Sequence, residues 1–159
     1  MIVTDINYSP SLPSAGENVT FTATIKNIGK GTSIEGIANK VEFSIDGGSI
    51  ILWSDNYTHP IAPGQTMTVI VNMGDPGVVW NAVEGTHTVK AVVNGGNTIF
   101  ESNTQNNSYS ERMVITKPCD LIVTNIYLAP GDPIVGEPIK IKATIKKYRT
   151  RHKPGRSNP

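Results

Sequence analysis

Residues 2–26, IVTDINYSPSLPSAGENVTFTATIK, return 120 residues later as residues 122–146, IVTNIYLAPGDPIVGEPIKIKATIK. Twelve of the 25 aligned positions are identical, from Ile2 and Ile122 to Lys26 and Lys146, and no gap is needed. Self-similarity at a fixed period means that one folding unit is strung in tandem. A period of 120 residues is far longer than a solenoid turn and normal for a whole domain. The chain of 159 residues is therefore expected to hold one complete module, residues 1–117, followed by the opening of a second. Residues 118–146 are then a linker and the truncated start of that second copy.

Within the repeat, residues 18–28 set Val19, Phe21, Ala23 and Ile25 on one side and Thr20, Thr22, Thr24 and Lys26 on the other. That period of two is a half-buried strand. Further strands are expected over residues 2–8, 37–46, 49–54, 65–73, 86–93 and 108–116. They are separated by Pro- and Gly-bearing turns such as Asp46-Gly47-Gly48 and Asn94-Gly95-Gly96-Asn97. No segment repeats apolar residues at helical spacing. About seven to eight short strands near ten residues apart predict an all-β, antiparallel β-sandwich.

The formal charge of +1 favours neither nucleic acid nor membrane, and no apolar run is long enough to span a bilayer. Cys119, the only cysteine, rules out a disulfide framework and a cysteine metal site. Met1 stands where Leu121 stands in the second copy, as an added start on the interior of a longer protein would. After Lys146 the copy stops following the first, and residues 147–159 form a basic tail without alternation. Codons for Lys-Asn-Ile-Gly with one inserted A read Lys-Lys-Tyr-Arg, the residues at 146–149, so the tail is expected to be frameshifted or clone-derived. A natural basic arm is the alternative.

No catalytic signature is present: no G-x-S-x-G, HExxH, P-loop or EF-hand loop. His87 alternates with Val89 and Ala91 as a satisfied, partly buried histidine would, and the carboxylates are scattered among turns. The expectation is a protein that is not an enzyme. Two clusters are candidates for binding. Trp53, Asp55, Asn56, Tyr57 and His59 set aromatic rings beside amide and carboxylate groups, the composition a sugar site needs, with Trp80 as a further aromatic. Packing of Trp53 or Trp80 into the core is the competing reading. Asn97, Glu101, Asn103 and Asn106 crowd oxygen ligands suited to calcium, yet with a single carboxylate; a turn held by Asx hydrogen bonds is the alternative.

The order and spacing of Gly16–Gly31, Val41–Gly47, Ile61–Thr66, Gly85–Val93 and Ile99–Asn107 make residues 2–117 resemble a CARDB module (cell adhesion related domain found in bacteria), an immunoglobulin-like sandwich family. The resemblance implies tandem use on secreted or surface proteins, often beside polysaccharide-degrading enzymes, for adhesion, spacing or glycan contact. Family members often carry Asp in the turn that here is Asn94-Gly95-Gly96-Asn97, which weakens a calcium site there. The expected function is a non-catalytic extracellular or cell-surface module that binds polysaccharide, such as plant cell-wall glucan, weakly. It would hold an attached glycoside hydrolase or surface-protein domain near that polymer. A spacer or protein-contact module without a glycan is the alternative.

Overall fold

The computed structural model describes residues 1–48, 52–55, 57–74 and 77–148. They divide into two compact units, Met1–Lys117 and the segment beginning at Pro118.

The first unit contains β1 (Ile2–Ser9), β2 (Asn18–Lys26), β3 (Val41–Ile45), β4 (Leu52–Ser54), β5 (Thr66–Ile70), β6 (Met73–Gly74), β7 (Trp80–Asn81), β8 (Gly85–Val93) and β9 (Ser108–Ile115). One sheet runs β1-β2-β5, with β7 also pairing β2, and the other runs β6-β4-β3-β8-β9. All pairings between these strands are antiparallel. This is the expected β-sandwich.

The alternation seen in the sequence is the burial pattern of the strands. Val19, Phe21, Ala23 and Ile25 of β2 are at most 1% exposed and face Val41, Phe43, Val89, Ala91 and Val93, all fully buried. The Phe21 and Phe43 rings stack at 6.0 Å in the middle of the core. The Asp46-Gly47 turn takes positive φ at both residues, 54° and 71°, as a tight hairpin between twisted strands requires.

The run expected as one strand over 65–73 is two. The amide of Val71 donates to Phe21 O in the first sheet, and the next amide, Asn72, donates to Trp53 O in the second, each at 3.1 Å. The chain thus changes sheets between adjacent residues. Between the stretches expected as strands over 65–73 and 86–93 lies β7, which is short and, among the described residues, pairs Asn18 and Val19. Of the strand expected over 49–54, Leu52–Ser54 is observed and residues 49–51 lie outside the described residues.

The second unit is a hairpin of β10 (Leu121–Ala129) and β11 (Lys140–Lys147). It repeats β1–β2 position by position. Val3↔Ile25 and Val123↔Ile145 pair alike, and the register slips at the same point, Val3/Asp5 and Val123/Asn125. Thr4 Oγ1 donates to Thr24 O at 3.1 Å and Thr124 Oγ1 to Thr144 O at 3.2 Å. Gly16 and Gly136 both adopt positive φ, 89° and 92°. Burial differs: every residue of β10 and β11 is exposed. Of the basic tail, residues 149–159 lie outside the described residues.

Candidate functional site: the loop end of the sandwich

β4 alternates Leu52 in, Trp53 out, Ser54 in. Trp53 therefore stands on the outer face of the five-stranded sheet, opposite Glu42 on one side and Met73 on the other. It is half-buried. Lys40 Nζ lies 5.5 Å from the ring centroid and 2.9 Å from Glu42 Oε1, so a cation covers part of the indole. Asp55 is tied to Asn72, its amide donating to Asn72 Oδ1 at 3.2 Å and its Oδ1 accepting from Asn72 Nδ2 at 3.3 Å.

Tyr57, although close in sequence, is used differently. Its ring packs on the core and its hydroxyl oxygen accepts the Ile70 amide at 3.0 Å. His59 has an exposed side chain, and its carbonyl accepts from Asn39 Nδ2 at 2.9 Å. Asn56 lies outside the described residues. Trp80 sits on β7 with its ring edge-on to His87 at 5.0 Å. His87 and Val92, the residue opposite Glu42, are five positions apart on β8, roughly 17 Å along a strand. The structure keeps Trp53 and Asp55 on one outer face, turns Tyr57 inward, and sets Trp80 toward the other end.

His87 is saturated. Its Nδ1 lies 2.7 Å from Asp46 Oδ2 and its Nε2 lies 2.8 Å from Val83 O. The Thr88 amide donating to Asp46, and then the His87 contact, hold the Asp46 carboxyl below its usual value.

The calcium candidates lie in the loop between β8 and β9. Glu101 Oε1 accepts from Asn94 Nδ2 at 2.7 Å and Asn107 Nδ2 at 2.9 Å, and Oε2 meets the Met1 ammonium. Asn103 Oδ1 accepts the Gln105 amide at 2.9 Å, an Asx turn. Asn97 is exposed, at φ 53°, and closes the turn through its amide to Asn94 O. Asn106 Oδ1 is buried without a partner among the described residues. A cation binding here would have to displace the amide donors from Glu101. Among the described residues no three His, Cys, Asp or Glu side chains form a metal-holding group.

This loop is one wall of a cavity of about 470 Å³; residues 27–34, following β2, are the other. A buried asparagine at a strand end pins each wall. Asn94 accepts the Ile99 amide and donates to the Ile99 carbonyl at 3.0 and 2.8 Å, besides bonding Glu101. Asn27 donates to Gly31 O and Ile61 O at 2.8 and 2.7 Å and accepts the Gly29 amide at 2.9 Å. Between them the alternation of buried Ile99 and half-buried Glu101 throws Phe100 outward, 96% exposed. Phe100 is not among the candidates the sequence offers; what marks it there is an aromatic out of phase with its neighbours in a turn-rich stretch.

No curated protein matches the chain. A domain spanning residues 272–376, described as from a putative cell surface protein of Methanosarcina acetivorans, is 19% identical over 74% of this chain and 96% of its own, with a TM-score of 0.52. A CARDB domain from Pyrococcus furiosus, crystallised in complex with di-metal ions, is 20% identical over 70% of this chain and 88% of its own, with a TM-score of 0.47. The solution structure of that domain gives 20%, 73%, 98% and 0.47. At such identities the likeness speaks for the fold alone. The CARDB family model matches residues 1–111, more than half the chain, and the chain belongs to that family of cell-adhesion-related modules.

Proposed function

We propose that this chain is an extracellular or cell-surface accessory module that binds polysaccharide weakly and keeps an attached enzyme or adhesin near it. The carrying observation is Trp53: a half-exposed indole on an outer sheet face, with Asp55 two residues on and Lys40 and Glu42 alongside. An indole packs on the apolar C–H face of a sugar while neighbouring charged groups bond its hydroxyls. An open sheet face suits an extended chain, such as a cell-wall glucan. Tandem copies would raise a weak single-site affinity through effective concentration, and the repeated hairpin supports that arrangement.

Affinity electrophoresis against β-glucans, xylan and chitin tests this reading. Retardation of the wild-type chain by one polymer, lost in Trp53→Ala, is the expected result. No retardation by any polymer, or a mutant retarded like the wild type, overturns it. The Tyr57 ring, packed on the core with its hydroxyl oxygen accepting the Ile70 amide, favours the second reading, a spacer or protein-contact module without a glycan.

A further inference from the structure

We infer that the cleft between residues 27–34 and 99–106 is a separate sugar pocket that takes a single ring or a chain end. The inference shares its ligand class with the proposed function but needs nothing from Trp53. At about 470 Å³ the cavity falls within the roughly 300–1,000 Å³ typical of small-molecule sites. Phe100 supplies a flat apolar platform fully open to solvent, with Ile28 and Ile34, 53% and 59% exposed, on the facing loop. Both loops are pinned by buried asparagine side chains, so the platform is held in place before a ligand arrives.

The polar groups left over decide the ligand class. Asn106 lines the cleft, and among the described residues its Oδ1 has no hydrogen-bond partner, which leaves an acceptor for a ligand's donor. An extended peptide pairs through free backbone groups, and several of those on these walls are spent. The Ile99 amide and carbonyl both bond Asn94, the Gly29 amide and Gly31 carbonyl both bond Asn27, and the Ser33 amide bonds Ile61 O. The walls also carry side-chain hydroxyl and amide, Thr32, Ser102 and Asn103, and the Lys30 ammonium, beside an aromatic ring. Glu101 already meets the Met1 ammonium and two amides. Hydrogen-bonding side chains around an apolar face match a polyol ring, which has hydroxyls at its rim and C–H bonds on its face.

The test is an amide-resolved NMR titration of the full 159-residue chain. Glucose, xylose, galactose, N-acetylglucosamine, cellobiose and chitobiose are added separately, with an uncharged apolar tripeptide as a further probe. The expected result is saturable perturbation of Gly29, Gly31, Ser102 and the Asn106 side-chain amide by at least one sugar. Phe100→Ala weakens that binding about three- to tenfold, the share of one aromatic contact, and its exposed position leaves the remaining spectrum in place. Leu12→Ala, 89% exposed and outside the cleft, binds as wild type does. Silence to every sugar, perturbation by the tripeptide alone, or a Phe100→Ala variant that titrates unchanged overturns the pocket. Polymer retardation abolished by Trp53→Ala together with a silent cleft overturns the pocket while sparing the Trp53 face. A responsive cleft with no Trp53-dependent retardation does the reverse.

Discussion

Asn94 Nδ2 lies 2.7 Å from Glu101 Oε1, and this bond ties the end of β8 to the far side of the loop that follows it. The Asn94 side chain is nearly surrounded: it also bonds the Ile99 amide and carbonyl and accepts from Thr98 Oγ1 at 3.3 Å. Its backbone sits at φ 55°, a conformation asparagine tolerates better than most residues. One side chain thus sets both the turn and the position of Phe100.

Replacing Asn94 by Ala leaves the Ile99 groups without partners inside the fold and puts an ordinary side chain at positive φ. A loss of about 2–4 kcal/mol follows from unsatisfied buried polar groups and backbone strain together. Asn94→Gly relieves the strain but not the lost bonds and falls between Ala and wild type. Urea unfolding midpoints check the order. An Ala variant as stable as wild type would remove Asn94 from its pinning role.

The Asp46–His87 pair sets a pH dependence. The Asp46 carboxyl is held below its ordinary value of 3.8, first by the Thr88 amide and then by His87. A carboxylate with a lowered folded pKa stabilises the fold above the unfolded pKa and loses that contribution as pH falls through the folded one. Asp46→Asn keeps an acceptor for Thr88 and tolerates the observed φ of 54°, but it does not titrate. The stability gap between wild type and Asp46→Asn is expected to be present above pH 3.8 and to shrink below it. The side chain is half in solvent, 51% exposed, so the gap is small. Chemical unfolding of both proteins between pH 2 and 6 measures it; a gap that widens on acidification contradicts the assignment.

The legible parts of the fold were those where one physical rule acts alone. Val19, Phe21, Ala23 and Ile25 alternate because β2 has one buried face, and that face reads directly from residue type. Asp46-Gly47 announced its hairpin because the turn demands positive φ. The sheet change at Val71–Asn72 was illegible because apolar alternation shows which side of a strand is buried, not which sheet its amides join. The candidate site suffered from the same limit. Trp53 and Tyr57 are four positions apart, but pairing with Glu42 turns one outward while the Ile70 amide draws the other inward. Phe100 becomes visible as a candidate only when residues 27–34 are known to lie across from it.

The two units should differ sharply in autonomy. Among the described residues the buried core is drawn from residues 1–115: Ile6 is 3% exposed and Phe21 and Ile25 are fully buried. Their counterparts Ile126, Ile141 and Ile145 are 62%, 66% and 62% exposed. Sequence and register are shared, so the difference is the second sheet that covers one face and not the other. A fragment of residues 1–117 is therefore expected to unfold cooperatively, within about 0.5 kcal/mol of the full chain. A peptide of residues 118–148 is expected to show no cooperative transition, since a lone two-stranded hairpin is at best marginally stable in water. Circular dichroism melts of the three species decide the point. A fragment 1–117 that melts without cooperativity, or more than about 1 kcal/mol below the full chain, would show that residues 118–148 belong to the first unit's fold and do not begin a second copy.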